Sequence, residues 1–449
     1  MRNEEDAGRR GVGALRPLHV RASRRAAWRH MVASVNASGP VSPIRQPEGA
    51  AMSPQPNLKL AILALGLGAF AIGTSEFAAM GLLPWYASDL GITEPQAGHV
   101  VSAYALGVVV GAPVTSILGA RLPRRRYLAA LIAVYGAMNL LAAVLPGYGT
   151  LVGMRFLAGL PHGGFLGVAM LFAADALPRE QRAKGVTQVL LGLTIANIAG
   201  VPLAGILGQG FGWRWGFALP GVLALLAGWL ILRLAPRVGA PKDARPLAEL
   251  RALRNPAVML ILLVGAIGFG GLFAVYSYLS AAMLATAQPP GWAIPAALSA
   301  FGIGGTLGSI LAARLTIRHG TWGAALRLML FMAVTQGFAA WAVGNWGLML
   351  VSSFLLGLGS GMVVPLQTRL MDVAGEAQSM AAAMNHAAFN AANALGPWLA
   401  GLALAAGWGW RSSGLVAVAL SGAGLLALGL AWRQARLSGY QLHDRPARV

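Results

Sequence analysis

The stretch Ala196-Asn197-Ile198-Ala199-Gly200-Val201-Pro202-Leu203-Ala204-Gly205 returns as Ala392-Asn393-Ala394-Leu395-Gly396-Pro397-Trp398-Leu399-Ala400-Gly401, at a constant offset and with one conservative shuffle around the proline. Other positions repeat in step with it. Gly119-Ala120-Arg121-Leu122 echoes Ala312-Ala313-Arg314-Leu315, the pair Gly159 and Gly163 matches Gly357 and Gly361, and Trp213-Arg214 matches Trp410-Arg411. Agreement at so many separated places marks a chain that carries the same unit twice, in parallel order.

The unit is built for lipid. The chain is 57% hydrophobic and 11% charged, with a mean hydropathy of +0.64, which is too apolar for a soluble protein of this length. A hydrocarbon core of about 30 Å is crossed by roughly 20 residues of helix, and apolar stretches of that length recur throughout. Only helices and closed barrels satisfy their backbone inside a membrane. Long apolar runs in place of short alternating ones select helices, and the 60 glycines suit close helix contacts.

With Pro, Gly and charge clusters as punctuation, spans fall near 58–83, 96–118, 127–145, 150–174, 183–208 and 213–234, then near 256–284, 295–314, 324–343, 346–370, 379–404 and 412–432. Basic residues test the count, because a missed span would scramble their alternation between the two sides. One side collects Arg121, Arg124, Arg125 and Arg126; Arg179, Arg182 and Lys184; Arg233, Arg237, Lys242, Arg245, Arg251 and Arg254; Arg314, Arg318 and Arg327; Arg369; and Arg433, Arg436, Arg445 and Arg448. The opposite loops hold only Arg214 and Arg411, with Asp89 and Glu94 in the first of them. The expected fold is therefore an all-α membrane protein. Twelve transmembrane helices form two pseudo-symmetric six-helix bundles, 58–234 and 256–432, and both termini are cytoplasmic. A connector spans 235–255 and a cytoplasmic tail 433–449. The net charge of +20 belongs to these loops and not to a nucleic-acid-binding face.

Residues 1–57 are Arg-rich and polar, with no apolar core of signal-peptide length, so disorder is expected. Either this is a natural basic tail that touches anionic lipid, or the translation start is assigned too early and Met52 is the true one. The composition favours the second.

Motifs narrow the class. The first span ends Gly73-Thr74-Ser75-Glu76-Phe77-Ala78-Ala79-Met80-Gly81-Leu82-Leu83-Pro84, and the fourth reads Arg155-Phe156-Leu157-Ala158-Gly159-Leu160-Pro161-His162-Gly163. With the basic turn after the second span, these resemble the major facilitator superfamily, in particular its twelve-span drug:proton antiporter group and the arabinose-efflux-like branch, over residues 58 to about 432. The resemblance implies a proton-driven exporter of small molecules in the bacterial inner membrane. It also implies a central cavity lined by the first and fourth spans of each half. Gly192, Gly200, Pro202 and Gly205 are similar to the antiporter motif of that superfamily, where close packing seals leak pathways. In the family, the loop after span two gates the cytoplasmic side and usually carries an Asp-Arg pair. Here it reads Arg121-Leu122-Pro123-Arg124-Arg125-Arg126, without an acid. Asp175, at the inner end of span four, is the expected partner of Arg121, Arg124 and Arg125.

Glu76 is the acid placed well inside a span, and an ionisable group there costs about 2.5 to 3.5 kcal/mol on insertion scales unless it meets a cavity or partner. Burial favours the protonated form of a carboxyl group and a neighbouring cation favours the charged form, which is the physics of a proton-coupling site. A neutral Glu that only holds two helices together is the alternative. Arg155 stands at a compatible depth, either facing the cavity with Glu76 or snorkelling to the outer interface. His162, seven residues on and on roughly the same face, is either a proton relay or a satisfied interhelical histidine. Asn197 and Asn393 are expected to make interhelical hydrogen bonds. In the second half, Tyr276, Tyr278, Gln367, Asn385, His386 and Asn390 are the polar candidates for substrate contact, with packing as their alternative role.

With no Cys, thiol chemistry and Cys-based metal sites are excluded. There is no His-Glu-x-x-His run and no Gly-x-x-x-x-Gly-Lys-Ser/Thr phosphate loop, so neither metal nor cofactor is expected, nor an enzyme. The expected function is secondary transport by a monomer, with protons, a sugar or drug and the bilayer as partners. Import by the same fold, coupled or uncoupled, and a nontransporting membrane sensor are the alternatives.

Overall fold

The computed structural model describes residues 58–119, 121–178, 181–237, 255–374 and 378–437, without the side chains of 116 and 378–383. The basic tail 1–57 with Met52, Arg179, the connector from 238 to 254 with Lys242, and the tail from 438 lie outside the described residues.

Among the described residues every regular element is a helix. The first half runs α1 Leu58–Gly81, a short α2 Leu83–Leu90, α3 Glu94–Gly119, α4 Arg124–Val144, α5 Tyr148–Asp175, α6 Arg182–Ile195, α7 Val201–Phe211 and α8 Trp215–Leu234. The second half runs α9 Pro256–Gly268, α10 Gly270–Tyr276, α11 Leu279–Ala287, α12 Ala293–Ala342, α13 Trp346–Gly359, α14 Val363–Ala374, α15 Gln378–Ala405 and α16 Arg411–Leu437. Among the described residues ten helical stretches are long and apolar enough to cross a membrane. The 50-residue α12 is two rods merged across a kink at Gly320, whose φ of 71° and ψ of 173° no helix contains and which glycine adopts without steric cost. With the 28-residue α15, the described residues form twelve rods close to the expected bounds.

Three rods are interrupted, each for a local reason. A π-turn, Ala196–Gly200, joins α6 to α7 immediately ahead of Pro202. Proline has no N–H for the carbonyl four residues back, and that carbonyl, Ile198 O, accepts from Ser299 Oγ at 3.3 Å. The seventh rod breaks at Phe269 and again at Ser277 and Tyr278. A 3₁₀ turn, Ser360–Met362, joins α13 to α14.

Glycine sets which rods touch. Gly107 and Gly111 of α3 lie against the carbonyls of Phe156 and Leu160 of α5, and Gly159 lies against Tyr104 O. The second half repeats this contact: Gly304 and Gly308 of α12 lie against Phe354 and Leu358 O of α13, and Gly357 lies against Phe301 O. Two serines then join early rods to late ones in matching fashion. Ser102 Oγ of α3 donates to Ala394 O of α15 at 2.9 Å, as Ser299 of α12 does to Ile198 O. Each acceptor directly follows a repeated asparagine, Asn393 or Asn197.

At one end, α2 is pinned to the start of α8. Asp89 Oδ2 accepts from Trp213 Nε1 at 2.9 Å and Arg214 Nη1 at 2.6 Å, and these donors hold its carboxyl below the usual carboxylate range. Both charged side chains are nearly half exposed, so the pair contributes at most about 1 kcal/mol.

Candidate functional site

Four consecutive residues of α1 fan out to four different neighbours, because each step along a helix turns the side chain by about 100°. Thr74 turns to Gly200, where any side chain larger than hydrogen would strike its hydroxyl. Ser75 turns to α4 and α5, where its Oγ bonds Asn139 Oδ1 and accepts from Arg155 Nη1 at 2.8 Å. Glu76, 8% exposed, turns to α15, and its Oε1 accepts from Asn393 Nδ2 at 3.1 Å. Phe77 turns to α10 and α12, stacking among Phe273, Tyr276 and Phe301 with ring centroids 5.9 to 6.4 Å away.

Arg155 has 0% exposure, so it does not snorkel. Besides Ser75 Oγ, its guanidinium reaches Asn139 Oδ1 and Ser75 O, each at 3.4 Å. It lies 4.0 Å over the Tyr104 ring and 5.2 Å from the Phe217 ring. Among the described residues no carboxylate lies within ion-pair distance of it. Arg155 and Glu76 therefore share one turn of α1 without touching, and the guanidinium acts on the carboxyl through space. The sequence left Arg155 either facing a cavity with Glu76 or snorkelling; in the structure its guanidinium lies among Ser75, Asn139, Tyr104 and Phe217.

His162 is buried, with Nδ1 3.0 Å from Tyr104 OH. Tyr104 OH donates to Tyr135 OH at 3.4 Å, and Tyr135 OH donates to Ile72 O at 3.2 Å. The ring of Tyr104 thus lies against both Arg155 and His162. Sequence reasoning missed Ser75, Tyr104, Tyr135 and Asn139. Asn139 was the findable one: an amide in the otherwise apolar run of α4, whose Nδ2 donates to Tyr135 O one turn back, at 2.9 Å.

The candidates of the second half separate. Tyr276 is buried and packs on Phe301 at 4.1 Å, next to Phe77. Tyr278 is buried: its hydroxyl donates to Pro397 O at 3.0 Å and lies in the space beside Gly98 and Gly401. Asn385 Nδ2 donates to Gln367 Oε1, so these two occupy each other. Asn390 Nδ2 donates to His386 O of its own helix at 3.0 Å, leaving its Oδ1 without a partner. In the antiporter-like stretch, Gly192 lies on Gly66 O, Gly200 on Thr74 and Phe70, and Gly205 within 3.6 Å of Leu298 where a Cβ would be, while Pro202 follows the π-turn. The three glycines bring the fifth rod close against its neighbours.

At the other end of α5, Arg124 Nη1 pairs with Asp175 Oδ2. Arg125 donates to Leu232 O at the end of α8, and Arg121 is exposed. With Asp175 48% exposed, the ion pair is worth less than about 1 kcal/mol in stability. Asp175→Asn is therefore expected to leave the thermal midpoint nearly unchanged while altering which face opens. Single cysteines introduced into this Cys-free chain at the ends of α3 and α5 report it by maleimide labelling; identical labelling in both proteins removes Asp175 from gating.

Membrane-length rods around a buried acid, a buried guanidinium and a polar seam describe a multi-pass membrane transporter. The chain belongs to the Major Facilitator Superfamily, whose family profile matches residues 65–288 and 285–446. It is 35% identical over 382 residues to the inner membrane transport protein YdhP of Escherichia coli (strain K12), covering 83% of this chain and 96% of that protein. It is 34% identical over 376 residues to a chloramphenicol resistance protein of Streptomyces lividans, covering 81% and 95%. The fold is similar to that of the nucleoside transporter NupG, with a TM-score of 0.68 at 14% identity over 84% of this chain and all of that one.

Proposed function

We propose that this transporter is a proton-driven exporter of a small amphipathic molecule, a sugar or a drug, in the bacterial inner membrane. Residues 58–234 and 256–432 act as two six-helix bundles with both termini cytoplasmic, working as a monomer. They rock about a midplane site, so that a proton taken up at Glu76 from outside is exchanged for substrate carried from inside. The observation that carries this reading is the Glu76 carboxyl, buried in α1 with the Arg155 guanidinium behind it and Asn393 of α15 in front. Such a group binds a proton in one arrangement of its neighbours and releases it in another. His162 and Tyr104 offer a path for that proton. Tyr276, Gln367, Asn385 and Asn390 offer the wall that substrate meets, and Arg124 with Asp175 closes the cytoplasmic side. The names of YdhP and of the chloramphenicol resistance protein support membrane and direction.

The test is flux. A thermal-shift screen of purified protein against sugars, nucleosides and antibiotics selects a compound, whose accumulation in proteoliposomes is then followed under an imposed pH gradient. Uphill accumulation that stops when a protonophore collapses the gradient is expected. Uphill flux that persists without the gradient would remove proton coupling, and flux only in the direction of the proton would make the protein a symporter.

A further inference from the structure

Among the described residues the buried amide of Asn393 has one side-chain partner, the Glu76 carboxyl. Its Nδ2 donates to Glu76 Oε1 at 3.1 Å, its Oδ1 is buried without any partner, and the residue is 1% exposed. The chain contains its own control, because the repeat supplies a second asparagine at the matching place. Asn197 donates to Leu193 O of its own helix at 3.2 Å, and the stretch of the second copy that corresponds to Glu76, residues 269–274, contains no acid. The Oδ1 of Asn197 is likewise buried without a partner among the described residues, so what sets Asn393 apart is where its N–H goes. Where there is an acid, the amide reaches across 317 residues of sequence to it; where the matching stretch has none, the amide folds back.

The reach crosses a seam. One residue beyond Asn393, Ala394 O takes the Ser102 hydroxyl of α3. One residue beyond Glu76, Phe77 enters the aromatic cluster of α10 and α12. The bond therefore lies where early rods meet late ones. A carboxylate only accepts hydrogen bonds, and an N–H donated to a charged oxygen is roughly twice as strong as one donated to a neutral oxygen. We infer that Asn393 is the positioning residue for the proton-binding carboxyl: it holds charged Glu76 across the seam, and protonation of Glu76 weakens that hold and frees the two rods to part. The other charged or titratable groups acting on Glu76 are Arg155 of α5, Tyr104 of α3 and Tyr135 of α4. All three belong to the first half, so Asn393 is the partner that ties the proton to the second.

This inference rests on Glu76 being the proton site, and the proton itself is the probe that tests both without a substrate. Infrared difference spectra of the purified protein, taken across a pH series, follow the protonated carboxyl band of Glu76, identified by its loss in Glu76→Gln. Asn393→Leu keeps the shape of the side chain and removes the donor. A donor to the charged form favours that form, so the midpoint of the band is expected to move to higher pH by on the order of one unit. Asn393→Gln, which keeps the amide, is expected to recover part of the shift. Asn393→Ala serves if the leucine variant does not fold. A midpoint that stays in place with a folded Asn393→Leu or Asn393→Ala protein overturns the role of Asn393 and leaves Glu76 untouched. A spectrum in which Glu76→Gln removes no titrating band overturns the proton site itself.

Discussion

Glu76→Gln is expected to abolish accumulation driven by a pH gradient, lowering the initial rate by at least about a hundredfold if one carboxyl carries the coupled proton. The substitution is close to isosteric, and the new amide oxygen still accepts from Asn393 Nδ2, so the seam observed at 3.1 Å survives in neutral form. What disappears is the site of proton binding. Stability should not fall with it. Replacing a buried ionisable group by a neutral one of the same volume removes a desolvation penalty, and the thermal midpoint of Glu76→Gln is expected to equal or exceed that of the native protein. Loss of gradient-driven flux in a protein that melts no lower separates a coupling defect from a folding defect. Undiminished flux would take Glu76 out of the mechanism and leave its bond to Asn393 as helix packing. Arg155 is a buried cation without a carboxylate in contact among the described residues, and its guanidinium is held by neutral groups of the first half.

The rods were legible because apolar length is a one-dimensional property, and the same holds for the repeat and for the glycine pairs. Glu76 stood out because an acid in an apolar span has few innocent explanations. Asp175 could be read because a basic turn without an acid needs one nearby. The interior of the site was less legible. Ser75, Glu76 and Phe77 are adjacent in sequence but face α5, α15 and α12 respectively, and which neighbour each one meets depends on how α1 is rotated within the fold. That rotation is a sum of many weak contacts with no signature of its own, so depth along the helix matched Arg155 to Glu76 while the helix face kept them apart. The same is true of Asn385 and Gln367, which look like two free ligands in sequence and bond to each other in the structure. The breaks in the seventh rod escaped notice because Gly is common throughout the chain and marks a kink only where packing uses it.

Packing at the glycine crossings gives the second large effect. In lipid there is no hydrophobic drive between helices, so affinity comes from close backbone approach, which small residues allow. Gly159 meets Tyr104 O and the Cα of Gly107, and Gly357 meets Phe301 O and the backbone of Gly305. A methyl added at either place would overlap main-chain atoms of a packed rod, which cannot swing aside as a side chain does. Gly159→Leu and Gly357→Leu are each expected to destabilise the protein by roughly 3 kcal/mol or more, at or above the upper end of ordinary overpacking, and to lower the thermal midpoint sharply in detergent. The contrast lies on the same helix. At Gly153 and Gly167 of α5 nothing stands within 4 Å of an added Cβ, and Gly153→Ala and Gly167→Ala are expected to be neutral or to stabilise by up to about 1 kcal/mol through helix propensity. Equal effects at 153 and 159 would mean that α3 and α5 do not cross at their glycines. The predicted difference, present in both halves, means that α3 with α5 and α12 with α13 each behave as one rigid pair. Motion during transport would then fall between such pairs and not within them.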